Sequence, residues 1–126
     1  MRLTEGSRFT FARDPNTLTF RIKDRQNPSA NWPVDMAMPL DSQTADYAVV
    51  SRVFDSTTQR IVVMAAGIGA LGTIAAGEFL TDPQYMRALS AQAPKNWQLK
   101  NVQVVLTTQV INGHSGPPRV VVANFW

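Results

Sequence analysis

The 126-residue chain contains no cysteine, which excludes a disulfide framework, a thiolate metal site and a thiol nucleophile. It contains one histidine, His114, so too few ligands remain for a transition-metal centre. His114 sits in a Gly/Ser/Pro turn with no neighbour to fix it as a general base. Ser115 beside it lacks the strand-to-helix context of a nucleophile elbow. Long apolar runs are also missing. The longest candidate, Ile61–Gly77, is seventeen residues without a charge, at the lower limit for a spanning helix. Its Val/Ile start and its glycines at 67, 69, 72 and 77 fit better a soluble strand–loop–helix in which Ile61–Ala66 is a buried strand. The first residues, M-R-L-T-E-G-S-R-F-T-F, lack the apolar core of a signal peptide. A cytoplasmic protein with no membrane association is expected.

Hydrophobic residues make up 44 % and charged residues 17 %, ordinary globular proportions. The length corresponds to one domain with one real core. Eight prolines and seven glycines imply short elements joined by tight turns. The net charge is +3, and half of the basic residues (Arg2, Arg8, Arg13, Arg21, Lys23, Arg25) fall in the first twenty-five positions. They interleave with strand-like alternation and with three acids, so an exposed hairpin face is expected there and nucleic-acid binding is not.

The chain divides into a 1–22 hairpin, a 23–45 ordered excursion and a 46–126 core. Phe9 and Phe11 alternate with polar neighbours, and Thr17–Ile22 alternates again with Leu18, Phe20 and Ile22 inward; Asp14-Pro15-Asn16 is the turn between them. The excursion has three prolines before residue 40 and no periodicity, with Trp32, Val34, Met36 and Met38 available to pin it over the core. Asp46–Phe54 and Arg60–Ala66 read as strands joined by the polar turn Asp55–Gln59, hence antiparallel. From about Ala70 a helix follows with Leu71, Ile74, Ala75 and Phe79 on one face. Asp82 caps a second helix that starts at Pro83 and turns Tyr85, Met86 and Leu89 inward. Asn101–Ile111 is a strand with Val102, Val104, Leu106 and Val110 on one face and Gln103, Thr107 and Gln109 on the other. Arg119–Trp126 returns beside it after the turn Asn112–Pro118. The fold class is α/β in the α+β sense: a mixed, mostly antiparallel sheet with one right-handed β-α-β crossover and both helices on one face. The opposite face then needs a cover. The excursion supplies part of it, and a second copy of the chain, invited by Tyr47, Val121, Phe125 and Trp126, would supply the rest.

Gly67-Ile68-Gly69-Ala70-Leu71-Gly72 is a literal G-x-G-x-x-G after a strand and before a helix, the setting in which backbone amides and a helix N-terminus receive phosphate. Thr73 adds a hydroxyl, and Arg52 and Arg60 are the available counter-charges. A dinucleotide site would also need an acid at the end of the next strand and a second half, and neither is present. Tight packing of helix on strand is the plainer explanation of the glycines. The acids are dispersed: Glu78 on the first helix, and Asp24, Asp35, Asp41 and Asp46 in or beside the excursion. Trp32, Trp97 and Trp126 are assigned to packing.

Taken together, D-Y-A-V-V-S-R-V-F, A-A-G-I-G-A-L-G-T-I-A-A-G-E-F-L-T and G-P-P-R-V-V-V-A-N-F-W resemble a family of uncharacterised bacterial domains. In that family an aspartate–tyrosine strand precedes a G-x-x-G-T-x-A-A loop–helix, and a G-P-P-R turn leads to a terminal aromatic. The resemblance spans about Phe9 to Trp126. It implies an α/β domain in a regulatory or ligand-sensing setting, often at the C-terminal end of a longer protein, and supplies no catalytic residue. The expected function is a non-enzymatic sensory, ligand-binding or interaction module without cofactor or metal. Its ligand site would be Gly67, Gly69, Gly72, Thr73, Arg52 and Arg60, holding a small anion. The alternatives are a phosphate- or nucleotide-binding enzyme-like domain using the same loop, and a homodimerisation domain without ligand.

Overall fold

The computed structural model describes residues 7–126; residues 1–6, with Arg2 and the start of the expected hairpin, lie outside the described residues. Asp14-Pro15-Asn16 turns the chain as its residue types dictate, with Asn16 left-handed at φ 62°. The turn joins β1 (Phe9–Arg13) to β2 (Thr19–Asp24) in antiparallel register, Phe11 opposite Ile22. The excursion is more regular than its prolines suggest. Asn31–Asp35 forms β3, antiparallel to β2 with Ile22 opposite Trp32. Pro33 is accommodated because β3 is an edge strand, where a missing N–H breaks no ladder. A single 3-10 turn, Leu40–Ser42, leads out of this small sheet.

The second sheet is built on β4 (Ala45–Asp55), which pairs with β5 (Arg60–Gly67) on one side and β6 (Val102–Ile111) on the other. The Asp55 carboxylate closes the β4–β5 turn, accepting from the Thr57 amide at 3.2 Å and the Thr58 hydroxyl at 2.8 Å. Asn112 and Gly113, both left-handed, make the tight turn from β6 into the two-residue β7 (His114–Ser115), the geometry that an Asn-Gly pair favours. β8 (Arg119–Phe125) then pairs with β6 through a bulge between Val120 and Val122.

All the pairings are antiparallel, which corrects the expected mixed sheet. β5 and β6 run in the same direction, but β4 lies between them. The connection through α1 (Ala70–Thr81) and α2 (Pro83–Gln92) therefore steps over a strand instead of joining neighbours. Asp82 caps α2 as expected, accepting from the Gln84 amide at 3.1 Å with Pro83 at the first helical position.

Both faces of the second sheet are covered where β4 and β6 run through its centre. On one, Ala48, Val50, Val102, Val104 and Leu106 meet Ala76 and Phe79 of α1 and Leu89 of α2. On the other, Val49 and Val105 meet Phe9 and Ile22 of the small sheet, with Trp32, Tyr47 and Val122 packed around them. The opening hairpin, extended by β3, is thus the cover that the layer argument demanded. β6 is consequently buried on both faces, and Gln103, placed by sequence on a polar face, is 1 % exposed. Two other expected inward residues are not inward: Leu18 is 46 % and Ile74 56 % exposed. Gly72 and Ala76 take the inward place on α1, because small residues let the helix sit close to β4. Among the described residues no helix is long and apolar enough to cross a membrane.

Candidate functional site

The alternation of β4 sends Asp46 to the same face as Ala48 and Val50, directly beneath the start of α1. An unpaired carboxylate in that position would cost several kcal/mol. It is 1 % exposed and fully engaged. Asp46 Oδ1 accepts from the Tyr47 amide at 2.8 Å and the Gly69 amide at 3.1 Å, and Oδ2 accepts from the Gly72 amide at 2.8 Å. Gly69 is the N-cap of α1 and has no side chain to cap with. Asp46, more than twenty residues earlier, does so instead and places negative charge at the positive end of the helix dipole.

Each glycine of the G-x-G-x-x-G stretch is accounted for by close packing within the loop and against β4. A Cβ on Gly69 would stand 2.5 Å from Asp46 Oδ2, one on Gly72 would collide with the Tyr47 carbonyl, and one on Gly67 with the amide of Thr73. The Thr73 hydroxyl is occupied as well, accepting from the Gly67 amide at 3.2 Å and donating to the Gly69 carbonyl at 3.3 Å. The loop has the form of an anion cradle, and a carboxylate of the same chain lies in it.

Arg52 and Arg60 do not converge on the loop. Arg52 stands opposite Val63 in the β4–β5 ladder, and its Nη2 donates to the carbonyls of Trp97, Gln98 and Lys100 at 3.2, 3.0 and 3.0 Å. Its guanidinium also lies over the Trp97 ring, 5.0 Å from the centroid. Arg60 opens β5 at the hairpin end, seven residues from Gly67, or about 23 Å along a strand. The sequence therefore brings Gly67, Gly69, Gly72 and Thr73 together and leaves both arginines elsewhere. His114 is exposed on β7. Among the described residues no group of three His, Asp or Glu side chains is disposed to hold a metal ion.

The basic N-terminal residues are partly neutralised. Arg8 grips Asp24 through two hydrogen bonds, Nε–Oδ1 at 2.9 Å and Nη2–Oδ2 at 2.8 Å, and this pairing holds the Asp24 carboxyl below its usual range. Arg21 binds Asp14 in the same way and lowers it too.

A continuous uncovered feature lies at the β5 edge of the second sheet. Among the described residues β5 has a strand partner only on its β4 side. Apart from Arg60 it is uncharged, and it carries no proline and no bulge. Its backbone polarity follows from two bonds: the Ile68 amide donates inward to the Tyr47 carbonyl at 2.8 Å, and the Gly67 amide points outward to Thr73. By alternation, Ala66, Met64 and Val62 bond to β4, whereas Ala65, Val63 and Ile61 direct N–H and C=O away from the sheet. The buried strand expected over Ile61–Ala66 is instead an edge strand with no buried residue: Ile61 is 63 % and Val63 51 % exposed, and Phe54, opposite Ile61, is 52 % exposed. On the other face of the strand a groove of about 500 Å³ runs between β5 and β1, lined by Phe9, Phe11, Val49, Met64, Ala66 and Gln103.

Asp46 carries a legible signal: a lone acid two residues before Ala48 on a strand with an apolar face must point where that face points. The β5 edge carries none, because which strand ends a sheet depends on pairings distant in sequence. Comparison of the chain with protein-family models, curated proteins and solved structures finds no match.

Proposed function

We propose that this domain is a non-enzymatic interaction module that takes up an extended polypeptide strand along the outer edge of β5. The observation that carries the reading is the run Ile61–Ala65: outward backbone donors and acceptors, apolar exposed side chains and no protecting charge. Natural sheets blunt such edges with lysine, proline or a bulge, and the β8 edge of this same sheet has a bulge. An edge left bare over this length suits strand addition, in which main-chain bonds supply affinity and alternate side chains supply selectivity. The regulatory setting implied by the resemblance is compatible with it. A phosphate- or nucleotide-binding role for the Gly67–Thr73 loop would require displacing Asp46 from two amides, with Arg52 and Arg60 both out of reach.

The test is a panel of fluorescently labelled eight-residue peptides with alternating apolar residues, titrated with the wild-type chain and with Val63→Lys. Binding that weakens at least tenfold in the variant supports the reading. No binding by any peptide, or binding indifferent to residue 63, overturns it.

A further inference from the structure

Resting on that reading, we infer that the strand taken up is β5 of a second copy, paired antiparallel about a twofold axis through Val63. The outward groups belong to Ile61, Val63 and Ala65, a set symmetric about its middle member. In the twofold arrangement Val63 faces Val63 of the other copy and Ile61 faces Ala65 in both directions, so all six outward donors and acceptors of each copy are satisfied. The set is bounded at one end by the Gly67 amide, already bonded to Thr73, and at the other by the turn that Asp55 closes. Side-chain sizes match as well. On the helix face Ile61 lies against Ala65 and valine against valine; on the groove face Val62 lies against Met64 and Arg60 against Ala66. None of these directly opposed pairs sets like charges against each other, the arrangement that destabilises a sheet.

Charge selects the direction. In a parallel self-pairing the two Arg60 side chains would come close together. In the antiparallel one they lie six residues apart, about 20 Å along the strand, beyond the screening length at physiological salt. The axis stands perpendicular to the sheet, so both helix layers share one face and both small sheets the other. The two grooves beside β1 then open towards each other across the joined strands. Three paired residues per copy make a small interface, at or below about 1,200 Å² in total, which corresponds to a transient association. A dissociation constant in the micromolar range is expected.

The absence of cysteine gives a direct test of register. In Val63→Cys the two thiols come from directly opposed residues about 5.5 Å apart between Cα atoms, within disulfide reach. Mild oxidation at tens of micromolar should give a covalent dimer. Ile61→Cys alone and Ala65→Cys alone should not cross-link, since each is about 13 Å along the strand from its own copy, whereas their mixture should. Val121→Cys, on the β8 edge, is the control. Sedimentation of the wild-type chain should show a dimer by about 100 μM, and Val63→Lys should weaken association at least tenfold with its circular dichroism and melting unchanged. Cross-linking through Val121→Cys in place of Val63→Cys, or a wild-type dimer indifferent to Val63→Lys, overturns the inference. So does a wild-type mass of one chain throughout. If that single chain still binds peptides in a Val63-dependent way, the second copy falls and the edge reading stands; silence in both experiments removes both.

Discussion

Asp46 shows how one side chain can decide what a loop is for. Three amides meet its two oxygens, and without them the first turn of α1 has buried donors and no acceptor. Replacing it by alanine strands at least two of those donors, each worth about 1–3 kcal/mol when left unpaired. Asp46→Ala is therefore expected to lose about 3 kcal/mol of stability, read as a lowered denaturant midpoint at unchanged slope. Asp46→Asn should fall between, because one oxygen remains and an NH₂ now faces an N–H. Gly77 is the converse case. It sits inside α1, and a Cβ built there meets nothing within 4 Å. Gly77→Ala should stabilise the protein by about 0.5–1 kcal/mol through helix propensity and a less flexible unfolded chain, measured as a raised melting temperature.

Among the elements, those defined by local chemistry were legible and those defined by distant partners were not. The Asp14–Asn16 turn, the β4–β5 hairpin, the capped start of α2 and the Asn-Gly turn all follow from residues within four positions of one another. β3 lies within what the sequence presents as an ordered excursion without periodicity, because its proline and polar residues make a poor strand by themselves; β2, with Ile22 against Trp32, is what straightens it. Ile74 looked inward by spacing, yet Gly72 and Ala76 were the residues small enough for the close approach to β4. The small sheet is pinned at the Arg8–Asp24 pair, and here the linkage with pH has a definite sign. Asp24 titrates below the ordinary carboxylate range because Arg8 hydrogen-bonds its charged form, so its contribution is complete above that range and is lost as the pH falls towards its folded value. Asp24→Asn should lower stability by about 2 kcal/mol at neutral pH. It should also flatten the loss of stability below pH 4, as followed by chemical denaturation across a pH series.

At the scale of the whole molecule, Gln103 makes a buried polar link between the two sheets. Its side-chain amide donates to the Phe9 carbonyl at 3.1 Å and accepts from the Phe9 amide at 2.9 Å, doing for β1 what a neighbouring strand would do. Nothing in the sequence around residue 103 announces a partner at residue 9. Gln103→Leu leaves both Phe9 groups buried without partners, and amide exchange should report it unevenly. Protection across β1–β3 is expected to drop at least tenfold, while β4 and β6, held by α1 and α2, keep most of theirs. A uniform loss along the chain would show that the two layers do not open separately.

The same amide fixes an order of events during synthesis. Roughly seventy residues separate the end of β3 from Gln103, and at ribosomal speeds of 5–20 residues per second that is an interval of about 4–14 s. Over that interval the newly made ribbon of β1, β2 and β3 can meet Val49 of β4, but Val105 and the Gln103 side chain that complete its seat are still to be made, so Phe9, Ile22 and Trp32 stay incompletely covered. Translation speed between the end of β3 and Gln103 thus sets how long the nascent chain displays that apolar side to the cell's holding machinery.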